Sequence, residues 1–220
     1  MAHSYEYIGH LLKYEAGISE DFDYPAKEAQ ILAPLFEGYK TMVIMNHCGV
    51  PSRESVQKTH ELIDYAIKKG VSNHKNDPGG LTICGITHDT WNKACSLGCF
   101  VGMKDVKFEN MTSVQWFVIV RTLYWDHWEA DKIMSQGLAE QVVDFYFHSG
   151  ISATRQIQKL LNVTPDGLIG PKTLGALKSA DAHKLCSQIK RARLDFLLKI
   201  SRKEKYQAFT YGWLRRLVDW

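Results

Sequence analysis

The segment IGHLLKYEAG sets Ile8, Leu11, Leu12 and Glu15 at i, i+3, i+4 and i+7. That spacing is one stripe of an α-helix. Three members of the stripe are apolar and should face a core. The fourth is a carboxylate aimed the same way. A carboxylate set against apolar side chains loses hydration, which disfavours its charged form and raises its pKa. An acid that keeps its proton near neutral pH can give it to a leaving oxygen. Glu15 has a plainer alternative: near the helix end it can look out past the edge of the stripe, or pair with a Lys or Arg.

Two further stretches carry unusual residue sets. KNDPGGLTICGIT, residues 75–87, has adjacent glycines that allow positive φ and close backbone approach. Asp77 and Thr82 can tie this turn by side-chain to backbone bonds, and by itself the segment is only a turn. In TRQIQKLLNVTPDGLIGPKTLGAL, residues 154–177, Asp166-Gly167 suits a tight turn and Pro171 the first turn of a following helix. That pattern predicts a compact helical hairpin. The nine histidines form no HExxH or other ligand pattern, and Cys95 and Cys99 lack the partners of a zinc site. Neither metal nor cofactor is expected.

The elements that would position these residues are mostly helices. PSRESVQKTHELIDYAIKKG has Ser52 to cap it, Gly70 to stop it, and a partial stripe of Val56, Leu62, Ile63, Ala66 and Ile67. A short extended piece is expected over residues 81–87. Helical patterning returns in HDTWNKACSLG, in MTSVQWFVIVRTLYWDHW with Thr112 or Ser113 as cap, and in GLAEQVVDFYFHSG. A long amphipathic helix from about Asp181 to Arg202 precedes a terminal aromatic segment. The expected class is mainly α.

Composition excludes several classes. A hydrophobic fraction of 45% and a charged fraction of 23% suit a soluble globular chain of 220 residues. A net charge of +3 is too small for a nucleic-acid binder, though a mild positive excess suits an anionic polymer. The late region is richer in Lys and Arg, which reads most simply as solvated helix faces. The longest tightly apolar run, Trp116 to Val120, falls far short of the ~20 residues of a membrane span. MAHSYEYIGH lacks the basic and apolar regions of a secretory signal. Five widely spaced cysteines read as reduced thiols made in a cytoplasm.

Taken in order, YEAG, NDPGGLTICGIT, Trp91, LYWDHW, VVDFYFHSG, IQKLLNVTPDGLIGPKTLGAL and FTYGWLRRLVDW resemble the glycoside hydrolase family 108 muramidases. The resemblance covers residues 4–17 and 73–220. It implies a lysozyme-like catalytic domain over 1–151 and a small helical peptidoglycan-binding-like module over 152–220. The family's Glu-Gly-Gly reads Glu15-Ala16-Gly17 here, and residues 18–72 intervene as an insertion expected to border the cleft.

The resemblance further implies hydrolysis of peptidoglycan after N-acetylmuramic acid, with Glu15 as general acid. Glu61 and Glu54 are the alternatives should Glu15 be mispaired. Asp77 or Thr82 would position water or a sugar hydroxyl, and Asp77 serves equally well as a turn cap. Tyr124 and Trp125 would line the saccharide cleft unless they belong to the core. Peptidoglycan is the expected partner of a monomer released to the cell wall or periplasm through a holin or a secretion system. No nucleic acid and no membrane insertion are expected. Retention or inversion stays open, because it depends on carboxyl separation. The rival functions are a non-catalytic wall-binding or secretion-accessory protein and a lytic transglycosylase.

Overall fold

The computed structural model describes residues 2, 4–16, 61, 63–73 and 80–218. The chain forms two compact units: residues 3–121, and residues 122–220 joined by residues 1–2. Asp77, Glu54 and residues 18–60 of the expected insertion lie outside the described residues.

In the first unit, α1 spans Ser4–Ala16. Ile8, Leu11 and Leu12 are buried, as the stripe predicts, and Tyr7 joins them. The Arg121 guanidinium donates to Ser4 Oγ at 2.8 Å, anchoring the start of α1. Residues 63–69 are helical and turn Ile63, Ala66 and Ile67 inward. They belonged to the stretch read as an insertion, yet they form part of this core.

A three-stranded antiparallel sheet follows, ordered β1 (Val71–Ser72), β2 (Thr82–Ile83), β3 (Ile86–Thr87). The register pairs Val71 with Ile83 and Ile83 with Ile86; it pairs Ser72 with Thr82 and Thr82 with Thr87. Directly opposed residues share a face. One face therefore carries the exposed Val71 with Ile83 and Ile86, both buried, and the other carries three hydroxyl side chains. Cys84 and Gly85 link β2 to β3 with φ of 44° and 79°. Two left-handed residues in a two-residue hairpin loop make a type I′ turn. Cysteine is an unusual occupant of the first position.

Thr87 then caps α2 (His88–Ser96), accepting the Thr90 N–H at 3.2 Å. Trp91 packs on Phe100 and Phe108 with ring centroids 4.8 and 5.9 Å apart, so this motif residue is part of the core. The next long helix, α3 (Ser113–Val120), is buried at every position except Val114. Thr112 is its cap, and its first N–H donates to Asp64 Oδ1 at 2.8 Å.

The expected continuation of α3 through LYWDHW does not occur. A wide π-type turn spans Arg121–Trp125, and short 3-10 turns follow at Asp126–Trp128 and Ala130–Lys132 around a left-handed Glu129. The fully buried Trp125 donates its indole N–H to Asp131 Oδ1 at 2.7 Å, which ties this folded-back path together.

Within the second unit, α4 (Gln136–Ser149) begins at the Ser135 cap and ends at Gly150. It is followed by α5 (Ile151–Leu160), α6 (Pro171–Ser179), α7 (Ala182–Ser201) and α8 (Glu204–Val218). Asp181, read from the sequence as the approximate start of this helix, caps α7 by accepting the Lys184 N–H at 2.8 Å. α7 is central: α4, α5 and α8 all pack on it, and it buries Leu185, Ile189, Arg193 and Leu197. Because α4 packs with α5 and α7, the compact units part between Arg121 and Thr122. The boundary expected from sequence, 151/152, falls inside the second unit.

Candidate active site

Glu15 is the penultimate residue of α1 and is half-buried. It therefore does not stand out in open solvent. Ala16 behind it is the last helical residue and is buried, a setting in which alanine needs no special φ. The Glu15 carbonyl oxygen abuts Gly70, where a Cβ would fall 2.9 Å from it. The same imagined Cβ would lie 3.0 Å from the Ala66 carbonyl oxygen and 3.1 Å from the Cys84 Cα. Three backbone segments thus converge on one glycine, and the I′ turn sits beside the end of α1.

Cys84 reports the same proximity electrostatically. It is wholly buried, and burial first, then the negative charge on Glu15, push its thiol far up. Its carbonyl accepts the Trp116 indole N–H at 2.9 Å, and its N–H donates to the Gly70 carbonyl at 2.8 Å.

Thr82 lies on β2 of the same hairpin, half-buried, with its hydroxyl 3.4 Å from the Gly80 carbonyl that accepts it. Gly80 itself has φ of +65°, the conformation expected of the double-glycine bend. Glu61, the alternative acid, is exposed. The first unit thus brings Glu15 to the hairpin that carries Thr82.

Tyr124 and Trp125 belong to the second unit. Trp125 is sealed in the core, so the expectation that it lines a saccharide cleft is corrected: no face of its ring is open to a ligand. Tyr124 is half-buried in a cluster with Tyr146 and Phe147, at centroid distances of 5.8 and 4.7 Å.

Asp144, also a motif residue, is structural. It is fully buried on α4, yet it sits among cations. Arg193 of α7 reaches its Oδ2 at 2.7 Å; Arg216 of α8 grips both oxygens, with Nε 3.3 Å from Oδ2 and Nη2 on Oδ1. His148 Nδ1 lies 3.7 Å from Oδ2. Burial acts to raise the Asp144 pKa, but Arg216, Arg193 and His148 hold its carboxyl well below the usual range. Gln158 plays a comparable part in the helical hairpin. Its amide donates to Asp166 Oδ1 at 2.7 Å, to the Leu168 carbonyl at 2.9 Å and to Thr173 Oγ1 at 3.2 Å, while accepting the Gly167 N–H at 2.8 Å.

Sequence reasoning missed Gly70, Cys84 and Trp116 as neighbours of the Glu15 segment. One signal was present: a Cys-Gly pair between two β-branched pairs, TI and IT, has the length of a two-residue hairpin. No local signal links Trp116 to it, because the contact spans 32 residues. Among the described residues no cluster of His, Cys, Asp or Glu could hold a metal ion, and no helix is long and apolar enough to cross a membrane.

Residues 66–150 match the family model Glycosyl hydrolase 108, and residues 152–218 match the Predicted Peptidoglycan domain. The first match begins after Glu15, and it takes in the end of the 63–69 helix, Gly70 and β1. Among solved structures, Brucella abortus SagA is similar at 28% identity and a TM-score of 0.56, covering 76% of this chain and 92% of that one. No curated protein matches.

Proposed function

We propose, from a chain that joins a glycosyl hydrolase 108 region to a predicted peptidoglycan domain, that this protein hydrolyses bacterial peptidoglycan after N-acetylmuramic acid. The tandem order of the two regions is the observation that carries the reading. One supplies glycosidic chemistry and the other a reason for the wall polymer to be the substrate.

In this reading Glu15 is the general acid. Its proton passes to the glycosidic oxygen as the bond from that oxygen to the anomeric carbon breaks. The sugar ring develops oxocarbenium character, and water adds to the anomeric carbon and gives up a proton, which restores the acid by way of a base or the solvent, leaving a new reducing end. Half-burial of Glu15 beside the I′ hairpin supports this role, since a proton donor must be shielded yet reachable. Thr82, on that hairpin, is suited to orient a water or a sugar hydroxyl. Asp77 is the proposed second carboxylate.

The protein would act on the wall after release from the cytoplasm, through a holin or a secretion system. Cys84, Cys95, Cys99 and Cys186 are free thiols, in keeping with synthesis in a reducing compartment.

Mass spectrometry of muropeptides released from purified murein tests the reaction class. Products ending in a reducing N-acetylmuramic acid are expected. Anhydro products, lighter by one water, would make the protein a lytic transglycosylase. Binding with no release would make it a wall-binding protein.

A further inference from the structure

We infer that Trp116 and Gly70 are positioning residues that hold Glu15 in place for proton transfer. The inference rests on the reading of Glu15 as general acid. A side chain at the end of a helix is poorly secured by the helix itself, because the last carbonyls have no intrahelical donors. Something outside α1 must hold its final turn.

The first unit contains a closed ring of contacts that does this. Asp64, in the helical run before Gly70, accepts the Ser113 N–H at the start of α3. One turn along α3, the fully buried Trp116 donates its indole N–H to the Cys84 carbonyl. Cys84 donates its own N–H to the Gly70 carbonyl, and Gly70 donates to the Ala66 carbonyl at 2.7 Å. Ala66 lies two residues beyond Asp64, which closes the ring. The Glu15 carbonyl rests against this ring at Gly70, in a gap too small for a methyl group.

The indole N–H is the member that fastens the hairpin. Without it the buried Cys84 carbonyl loses the indole donor that ties the I′ turn to α3. The turn carries Thr82 two residues earlier and borders the end of α1, so its drift would shift acid and hydroxyl together. Misplacement of reacting groups by ~1 Å can cost about 10²-fold in rate.

The test compares Glu15→Gln, Trp116→Phe, Gly70→Ala and a full chain carrying benzothienylalanine at 116, which keeps the indole shape and carries sulfur in place of the N–H. Each is assayed for kcat and KM on soluble glycan strands prepared from purified murein, with circular dichroism to verify folding. Trp116→Phe and the isosteric analogue are expected to lose roughly tenfold in kcat while KM stays within about twofold. Gly70→Ala is expected to lose at least as much. The analogue replaces the N–H by sulfur with little change in ring shape, so it remains informative if the other variants do not fold. A folded isosteric variant with wild-type kcat would overturn the inference while leaving the Glu15 reading intact. Full activity in Glu15→Gln would overturn the Glu15 reading itself, whatever Trp116 does.

Discussion

Asp144, the carboxylate of the VVDFYFHSG motif, holds later helices of the fold together. It is a carboxylate with no exposed surface, and its charge is matched by two guanidinium groups from later helices. Removing one partner of such a set leaves charge buried and uncompensated. Asp144→Asn is therefore expected to cost about 3–5 kcal/mol in urea unfolding. The pH dependence has a definite sign. The folded pKa is depressed below the unfolded value of about 3.9, so this contribution is complete above roughly pH 4 and is lost as pH falls further. Thermal melting of the parent should fall more steeply than that of Asp144→Asn below that pH. A parallel decline in both would show that the cluster contributes no acid sensitivity. Glu15 differs from Asp144 in being only half-buried and in sitting at a helix end.

At the level of elements, legibility followed range in sequence. The α1 stripe, the long helix starting at about Asp181 and the helical hairpin of residues 151–179 were readable because their periods and turn residues lie within a few positions of one another. The break after Val120 was not, since an unbroken apolar and aromatic run gives no sign that Trp125 will bond to Asp131. The I′ turn was missed because cysteine is not a turn residue by propensity. The hairpin of α5 and α6 makes a testable case. Gly167 has φ of +85°, and a Cβ there would come within 2.5 Å of the Ile151 side chain. Gly167→Ala should cost at least about 1–2 kcal/mol from the left-handed backbone alone. Gln158→Leu should cost a similar amount by stripping the turn of its buried donor and acceptor, read out as a lower denaturation midpoint. Denaturation midpoints equal to that of the parent would show that this turn is not a stability element. The insertion read over 18–72 also needs redrawing before it is tested. Its last part carries the buried Ile63 and Ala66 and the tight Gly70, so deletion through residue 72 would report on folding rather than on the cleft.

For the whole molecule, charge is distributed far from evenly. Residues 152–218 hold 14 Lys and Arg against 4 Asp and Glu, while the full chain holds 27 and 24. Two of those arginines are engaged by Asp144; the remainder leave the matched peptidoglycan region strongly cationic over an otherwise acidic chain. Attraction between exposed charges is screened within ~10 Å at 0.1 M salt and ~3 Å at 1 M. Binding of the full chain to purified murein should therefore weaken several-fold between low and high salt. Salt-independent retention would assign binding to apolar or hydrogen-bonding contacts instead. The most direct trial of the central claim is the rate of reducing-end release from purified murein by Glu15→Gln beside the parent chain, with murein binding measured in the same samples. A folded variant that binds as the parent does but releases reducing ends at least about 10²-fold more slowly is the predicted result. Release at the parental rate would contradict it.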